Sequence, residues 1–561
     1  MSFCNGTDRG SNFAPTRKGS EMRERIAMKV ARFVPGRGGT SNLSFLFNDR
    51  GSNFASIRKD ADLLMVFYCM KGGKLLNVSI STISYQDKKL TDAHSFQKWT
   101  SINWKQIAKS VNKLQTRITK AVLQNKWNLV KRLQYLLTHS FSAKLLAVRR
   151  VTQSKGKRTP GIDGEKWFTP DSKIKAALNL TGKRYKANPL KRVFINKPGK
   201  KKKRPLGIPT MYDRAMQSLY ALALEPIAET MSDLRSFGFR RHRSTKDARE
   251  QIFLCLSKKN SAQWILEGDI KGCFDNINHQ WLLTNIPMEK SILTQFLKAG
   301  FIYKRHLNPT KAGTPQGGTI SPILANMTLD GLEKLLLAEY PKRSKNSTKV
   351  NFIRYCDDFI VTANSEETAR EIKDKIAVFL KERGLELSDD KTLITNINEG
   401  FDFLSWNFRK YNGKLLTKPS KKSIKRFTET ISQTLRKGMA WSQENLISKL
   451  NPIIRGWTNY HNSVVSFDVF QTLDHIIWEM LWRWAKRRHP NKSKTWIINK
   501  YWKRNATRKW NFKTERNILL FLSKTRIYRH IPLKLQMHPF LDPDYFRERQ
   551  SKIRFRNSHS V

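Results

Sequence analysis

One stretch constrains this chain more than any other: Phe352-Ile353-Arg354-Tyr355-Cys356-Asp357-Asp358-Phe359-Ile360-Val361. Two adjacent aspartates interrupt two apolar, β-prone runs. Before them Val350, Phe352 and Arg354 alternate with Asn351, Ile353 and Tyr355; after them Phe359, Ile360 and Val361 are aromatic and β-branched. The pattern predicts the two arms of a β-hairpin with the acidic pair at its tip. Aspartate is depleted in strands and neighbouring carboxylates repel each other, so the pair needs something cationic beside it. A divalent metal is one answer, because carboxylate oxygens are hard ligands suited to Mg²⁺. An ordinary Asp-Asp turn is the other, and the stretch alone does not choose between them.

The rest of the composition narrows the choice. A chain of 561 residues is long enough for three or four domains. It carries 105 Lys and Arg against 45 Asp and Glu, a formal charge of +60. Such a charge repels itself unless a polyanion neutralises it, which points to nucleic acid, with an anionic membrane surface as the alternative. No run approaches the length of a membrane span, so no membrane insertion is expected. The five cysteines, at positions 4, 69, 255, 273 and 356, form no CxxC pair. This argues against a disulfide framework or a Cys-rich zinc site and fits a reducing compartment. The N-terminus lacks a long apolar segment, so no secretory signal is read. The expected location is the bacterial cytoplasm in association with nucleic acid, with an organelle left open.

Residues 1–98 are unlike the remainder. Asp8-Arg9-Gly10-Ser11-Asn12-Phe13-Ala14 recurs as Asp49-Arg50-Gly51-Ser52-Asn53-Phe54-Ala55. Two polar copies are too few for a solenoid, and the segment is expected to be mostly disordered and dispensable. Regularity begins near Trp104. Ile107, Val111, Leu114, Ile118 and Val122 keep helical spacing, as do Trp127, Val130, Leu133 and Leu137, with Lys and Arg opposite. Arg192 to Ile208 reads as a hairpin whose Gly/Pro turn carries four consecutive lysines, from 200 to 203. A lysine run is usually a solvated face; at a hairpin tip it suits phosphate binding better. Asp213 to Met231 reads as a largely apolar core helix. Ser236-Phe237-Gly238-Phe239-Arg240-Arg241 is a turn with aromatics and bases interleaved. Trp264 to Asp269 is a strand ending in a carboxylate, a capping residue as readily as a ligand. Gly313-Thr314-Pro315-Gln316-Gly317-Gly318 is a loop whose glycines let backbone approach a flat partner, or simply a flexible turn.

The strand ending in Asp269, the Pro315-Gln316-Gly317 loop, Tyr355-Cys356-Asp357-Asp358 and the turn at Lys391, in that order, resemble the palm motifs of reverse transcriptases. Arg204-Pro205-Leu206-Gly207-Ile208-Pro209, Ser236-Phe237-Gly238-Phe239-Arg240 and Gly400-Phe401-Asp402-Phe403-Leu404 narrow the resemblance to the group II intron-encoded reverse transcriptase/maturase family, over roughly residues 98–548. It implies an α+β right-hand polymerase fold: fingers in 99–235, palm in 236–410, an α-helical thumb/maturase domain X in 411–495 and a basic DNA-binding region in 496–561. The chemistry it implies is in-line transfer from a dNTP to a primer 3′-OH, assisted by two Mg²⁺ ions about 4 Å apart. By resemblance, Asp269 and Asp357 bridge the ions, the Ile270 carbonyl adds a ligand and Asp358 supports the site. Phe274 falls where the family places its steric gate against a ribose 2′-OH. Lys197 and Arg204 hold the triphosphate, Gln316 and Gly317 line the dNTP and template, and Lys391 protonates the pyrophosphate or neutralises it.

Three positions depart from the family pattern. Cys356 stands where alanine is usual, and His242 and Ser405 stand where glycine is usual. Beyond the palm, Arg455-Gly456-Trp457-Thr458-Asn459-Tyr460-His461 and Trp482-Arg483-Trp484-Ala485-Lys486-Arg487-Arg488 resemble the maturase segment. Arg455, Tyr460, His461, Arg483, Lys486, Arg487 and Arg488 are its candidate contacts to intron RNA, although an aromatic stripe is more often core. The chain lacks the cysteine pairs of the HNH endonuclease that follows in many relatives, so that domain is expected to be absent and the primer supplied by an existing DNA end. Expected partners are group II intron RNA, a DNA target and primer, and dNTPs; dimerisation stays open. Two functions of different class remain: an active RNA-directed DNA polymerase that also assists splicing and retrohoming, and a maturase that only binds RNA.

Overall fold

The computed structural model describes residues 42–46, 53–59, 62–71, 74–84, 99–196, 203–341, 349–505 and 508–558. The chain divides into two units, Met1–Thr91 and Asp92–Val561. In the first, strands Asn42–Leu46, Asn53–Lys59, Asp62–Lys71 and Lys74–Ser84 pair in sequence order as an antiparallel meander. Asn53, Phe54 and Ala55 of the second copy of the repeated motif lie in the second strand; the rest of that copy and the whole of the first lie outside the described residues.

The second unit opens with helices Trp104–Leu123 and Trp127–His139, as the apolar spacing predicts. Asn103 caps the first, its side chain accepting the Gln106 N–H at 3.1 Å. With Phe141–Gln153 they pack around Met211–Met231. That helix is buried on nearly every side, as one without a polar face must be. The fingers sheet joins the hairpin of Leu190–Asn196 and Lys203–Ile208 to Phe301–Tyr303 and His306–Asn308.

The palm sheet has four strands, β1 (Trp264–Asp269), β2 (Asn351–Tyr355), β3 (Asp358–Ala363) and β4 (Leu393–Asn396), all antiparallel in the order β2-β3-β1-β4. Both faces are covered, which is why its strands read as nearly continuous apolar runs. Alternation sorts the side chains. Leu266, Phe352, Phe359 and Val361 face one core, with Leu324, Ile372 and Ile376 from the helices beneath. Ile265, Ile353 and Ile360 face the other, with Ala248 and Ile252 of helix Thr245–Leu256 and with Phe401, Trp406 and Phe408. Each such side chain contributes about 1.5–3 kcal/mol through burial, so the hairpin that carries the two aspartates is held from both sides.

Helices Lys421–Lys437, Gln443–His461 and Phe467–Arg488 form the thumb around Phe427, Leu450, Ile454, Phe470 and Leu473. The residues after 495 do not stand apart. Ile497, Tyr501, Phe512 and Leu522 belong to the thumb core, whereas Leu533 and Phe546 belong to the palm core. The segment expected as a separate DNA-binding region is therefore shared between two cores. Its last helix, Pro543–Ser558, is pinned through Arg549 to Asp247, which also accepts from His530 Nε2 at 2.8 Å and from the Ser244 N–H at 2.8 Å. Burial works to raise the Asp247 pKa, but the bonds from His530 and Arg549 outweigh it and hold the carboxyl below its ordinary value. Among the described residues no helix is long and apolar enough to cross a membrane.

Removing one partner of a buried ion pair leaves the other uncompensated. Asp247→Ala strands Arg549 and His530 and uncaps helix Thr245–Leu256. The expected loss is about 3–5 kcal/mol, read as a fall in the denaturant midpoint; a change below about 1 kcal/mol would remove the pin from this account.

Candidate active site

The three aspartates meet at one end of the palm sheet. β1 ends in Asp269 and β3 begins with Asp358, and the register sets them directly opposite each other. Tyr355 and Asp358 close the β2–β3 pair, so Cys356 and Asp357 form a two-residue tip. Cys356 has φ +60°. A positive φ at the first tip residue follows the right-handed strand twist, yet it is costly for a residue other than glycine. The surroundings enforce it. Arg354 is fully buried and donates from Nη1 to the Cys356 carbonyl at 3.2 Å and to Asn326 Oδ1 at 3.1 Å, and from Nη2 to Asp330 at 2.5 Å. Asn326 Nδ2 donates to the Gly238 carbonyl at 2.8 Å. Gly238 lies so close to the tip that a Cβ there would sit 2.2 Å from the Cys356 nitrogen.

Like charges facing each other across strands destabilise the pair, and burial of the carboxyls acts in the same direction. The surrounding protein, then Asp357 and Asp269, push Asp358 up to about 7. Its side chain nevertheless opens to solvent, which screens that rise. Burial and Asp269 likewise raise Asp357, against the opposing charges of Arg204 and Lys391. Lys391 leaves the turn Asp389–Lys391 and its ammonium bonds Asp269 Oδ2. The Ser388 N–H donates to the Asp269 carbonyl at 2.8 Å and places that turn. Ile270 is buried, and its backbone bridges Leu387.

The donor set fits a hard divalent ion: three carboxylates on rigid strand ends, mutually repelling and only partly neutralised. Among the described residues no group of three His, Cys, Asp or Glu side chains stands so placed as to hold a metal ion. Mg²⁺ does not require one, because it binds through one or two carboxylates and completes its shell with water and substrate phosphates.

The loops around this end are tied to it. The Phe274 carbonyl accepts from Thr314 N–H at 2.7 Å, and Gln316 Nε2 donates to Asp275 Oδ2 at 3.0 Å. The Gln316 carbonyl accepts from Gly207 N–H at 3.0 Å, joining the loop to the fingers. Gly317, at φ +130°, would place a Cβ 2.5 Å from the Gly207 carbonyl oxygen, so only glycine fits there. Arg204 is exposed on the strand Lys203–Ile208. Lys197 lies outside the described residues. The network of Arg354, Asn326 and Gly238 escaped the sequence reading. Its signal is an arginine at an inward position of an otherwise apolar strand.

Like Cys356, the other two departures from the family pattern fall on left-handed backbone, His242 at φ +59° and Ser405 at φ +70°. His242 gains a stack on Phe546, centroids 5.1 Å apart, and a 2.6 Å bond with Gln550. Ser405 follows Leu404, at φ +49°, in the tight turn between Phe403 and Trp406.

Three of the candidate RNA contacts also make contacts within the protein. Tyr460 stacks on Trp406, 4.6 Å between centroids and 6° between planes, and donates to the Leu404 carbonyl at 2.8 Å. His461 is 1% exposed, beside Ser423 Oγ at 3.2 Å, and burial, then Lys246, lowers its pKa to about 3. Arg488 donates to the Met439 and Trp441 carbonyls at 2.8 and 2.5 Å and lies over the Trp484 ring. Arg455, Lys486 and Arg487 are exposed, as is Arg483, which pairs with Glu479 at 3.1 Å.

A further basic surface was legible only as a helix face. Lys105, Lys109, Lys113 and Arg117 line a groove of about 1030 Å³ together with Arg241 and Arg547. Their four-residue spacing sets the cations about 6 Å apart along one helix face.

The chain is similar to known proteins over several segments. Residues 195–408 match the family described as reverse transcriptase (RNA-dependent DNA polymerase), residues 99–180 the N-terminal domain of reverse transcriptase, and residues 424–502 the group II intron maturase-specific domain. The group II intron-encoded protein LtrA of Lactococcus lactis is 31% identical over 328 residues, which cover 47% of this chain and 54% of that protein. Protein YkfC of Escherichia coli is 31% identical over 346 residues, covering 54% of this chain and 88% of YkfC. Maturase-like protein 1 of Euglena gracilis is 27% identical over 380 residues, covering 64% and 76%. The match thus spans about half the length of the Lactococcus relative.

The thumb assignments separate by substitution. Tyr460→Phe removes the bond to Leu404 and is expected to cost about 1 kcal/mol of stability while leaving RNA affinity unchanged. A joint Lys486→Ala, Arg487→Ala variant is expected to weaken RNA binding at unchanged stability. Filter binding and thermal melts read both, and the reverse pattern would return Tyr460 to the RNA surface.

Proposed function

The chain belongs to the group II intron-encoded reverse transcriptase/maturase family, and from that premise we propose that it is an RNA-directed DNA polymerase which also binds its host intron RNA and assists splicing and retrohoming. The observation that carries this reading is the pairing of Asp269 with Asp358 beside Asp357 and Lys391 at one sheet end. A purely RNA-binding protein has no use for three crowded carboxylates on a basic chain.

Asp269 and Asp357 are the residues that would hold divalent cations, two Mg²⁺ by family resemblance, with the Ile270 carbonyl as a further ligand. Such ions supply charge neutralisation at the transferring phosphoryl group. Asp358 fixes the orientation of Asp269 across the strand pair. Lys391, paired with Asp269, serves as a neutralising charge and stands ready for the pyrophosphate. Arg204, with Lys197, binds the triphosphate. The bond from Gln316 to Asp275 braces the loop that carries Gly317 beside the template and dNTP. Phe274 closes the sugar side of the pocket against a 2′-OH.

The polyanion partner is supported by the basic groove and by the matched maturase segment. Intron RNA, a DNA target and its primer are the proposed polyanions, and dNTPs the substrate.

Primer extension on an RNA template with Mg²⁺ and dNTPs tests the polymerase. Wild type is expected to extend the primer, and Asp357→Ala to lose extension by at least a thousandfold while still binding intron RNA, as removal of a group essential to transition-state charge does. Wild type that binds RNA tightly but never extends would leave the splicing role alone. Affinity for RNA is expected to fall linearly with salt on a log-log scale, and each of Lys109→Ala and Lys113→Ala to reduce the slope by about 0.7–0.9. A slope indifferent to both would place the RNA elsewhere.

A further inference from the structure

The turn Ser236 to Arg241 lies beside the catalytic hairpin without supplying a ligand to it. Its backbone is held rigidly. Buried Arg240 forks onto Glu229, Nε to Oε2 at 3.0 Å and Nη2 to Oε1 at 2.8 Å, and donates from Nη1 to the Asp233 and Ser236 carbonyls at 2.6 and 2.8 Å. Phe237 N–H donates to the Arg354 carbonyl at 2.9 Å, and Gly238 abuts the Cys356 backbone. The turn is thus fastened to the arginine strand that leads into the hairpin tip before the aspartates.

Phe239 follows at φ +58° with 52% of its surface open. A bulky aromatic is a rare occupant of left-handed backbone, and an exposed ring buries little in return. The aromatic ring it meets is that of Phe274, edge to face, with centroids 6.1 Å apart and planes at 82°. Phe274 is half-buried against the palm core, and its carbonyl is pinned by the Thr314 N–H. Its backbone is therefore fixed by the 313–314 loop, and Phe239 supports the ring itself. Exclusion of one hydroxyl group by a ring works only while the ring cannot turn aside, and an edge-to-face contact restrains such turning.

We propose that Phe239 is a positioning residue for the Phe274 ring and thereby sets the discrimination between deoxyribo- and ribonucleoside triphosphates. This rests on the reading of Phe274 as the gate against a 2′-OH. The proposal explains why a strained position keeps a large, half-open aromatic side chain. It also assigns a use to a turn that touches neither Lys391 nor the phosphate-binding fingers.

The test is steady-state primer extension with a dNTP and the matching rNTP on the full chain. The variants are Phe239→Gly, Phe239→Tyr, Phe274→Ala and the double variant Phe239→Gly, Phe274→Ala. Glycine removes the ring and also suits a positive φ, so loss of folding does not cloud the result. Phe239→Gly is expected to raise kcat/KM for the rNTP about three- to tenfold, the worth of an aromatic pair, with kcat/KM for the dNTP changed less than about twofold. Phe239→Tyr keeps the ring edge and is expected to discriminate like wild type. In the Phe274→Ala background, Phe239→Gly is expected to change nothing further. Equal losses for both nucleotides, no rescue by tyrosine, or additivity with Phe274→Ala would each overturn the proposal. Failure of the underlying reading looks different: wild type then extends no primer, or Phe274→Ala leaves discrimination untouched while extension proceeds.

Discussion

Arg354 is the side chain on which the catalytic end depends. It is fully buried, in a strand whose other members are mostly apolar, and its guanidinium is shared among Asp330, Asn326 and the Cys356 carbonyl. A buried cation is tolerable only when its partners are close and well aligned. That requirement brings together the hairpin tip, the helix Ser321–Leu329 that follows the Gln316 loop, and the turn before Arg240. Burial pushes Asp330 up even with Arg354 beside it, and burial, then Asp330, raises Asp233 to about 6. The anchor of the site is therefore an electrostatic cluster held together by geometry.

From that anchor the site inherits its tension. Three carboxylates crowd one sheet end, answered within reach by Lys391 on Asp269 and by the charge of Arg204 on Asp357. Each cation comes from a different part of the chain, one from the turn after the helix Glu366–Lys381 and one from the fingers. Fingers, palm and loop must all be seated before the charges balance. The backbone bond from Gly207 to Gln316 and the side-chain bond from Gln316 to Asp275 provide that seating.

The thumb follows a different logic. Tyr460 packs against the palm on Trp406, and Arg488 bonds the carbonyls of the loop between the first two thumb helices, while Arg455, Lys486 and Arg487 stay exposed. The C-terminal helix returns to the palm through Arg549 and Asp247. A segment that looks in sequence like a basic tail is thereby made part of two cores, and a basic groove forms where it meets the first long helix.

Much of this was written locally. The apolar, β-prone runs on either side of Asp357 and Asp358 announced a hairpin, although the tip holds Cys356 and Asp357 and Asp358 already begins β3. Helical spacing likewise placed the first helices and the buried helix Met211–Met231. The charge excess determined a polyanionic partner. Tertiary structure alone decided what depended on distance across the chain: that Asp358 faces Asp269, that Lys391 rests on Asp269, that Phe239 meets Phe274, that Tyr460 stacks on Trp406 and that His461 is buried. The pairing of the strands over Asn42–Ser84 in sequence order belongs with these. Periodicity reports which side of an element is buried; which residue from a distant element lies opposite is set by register and packing, and those are properties of the folded chain.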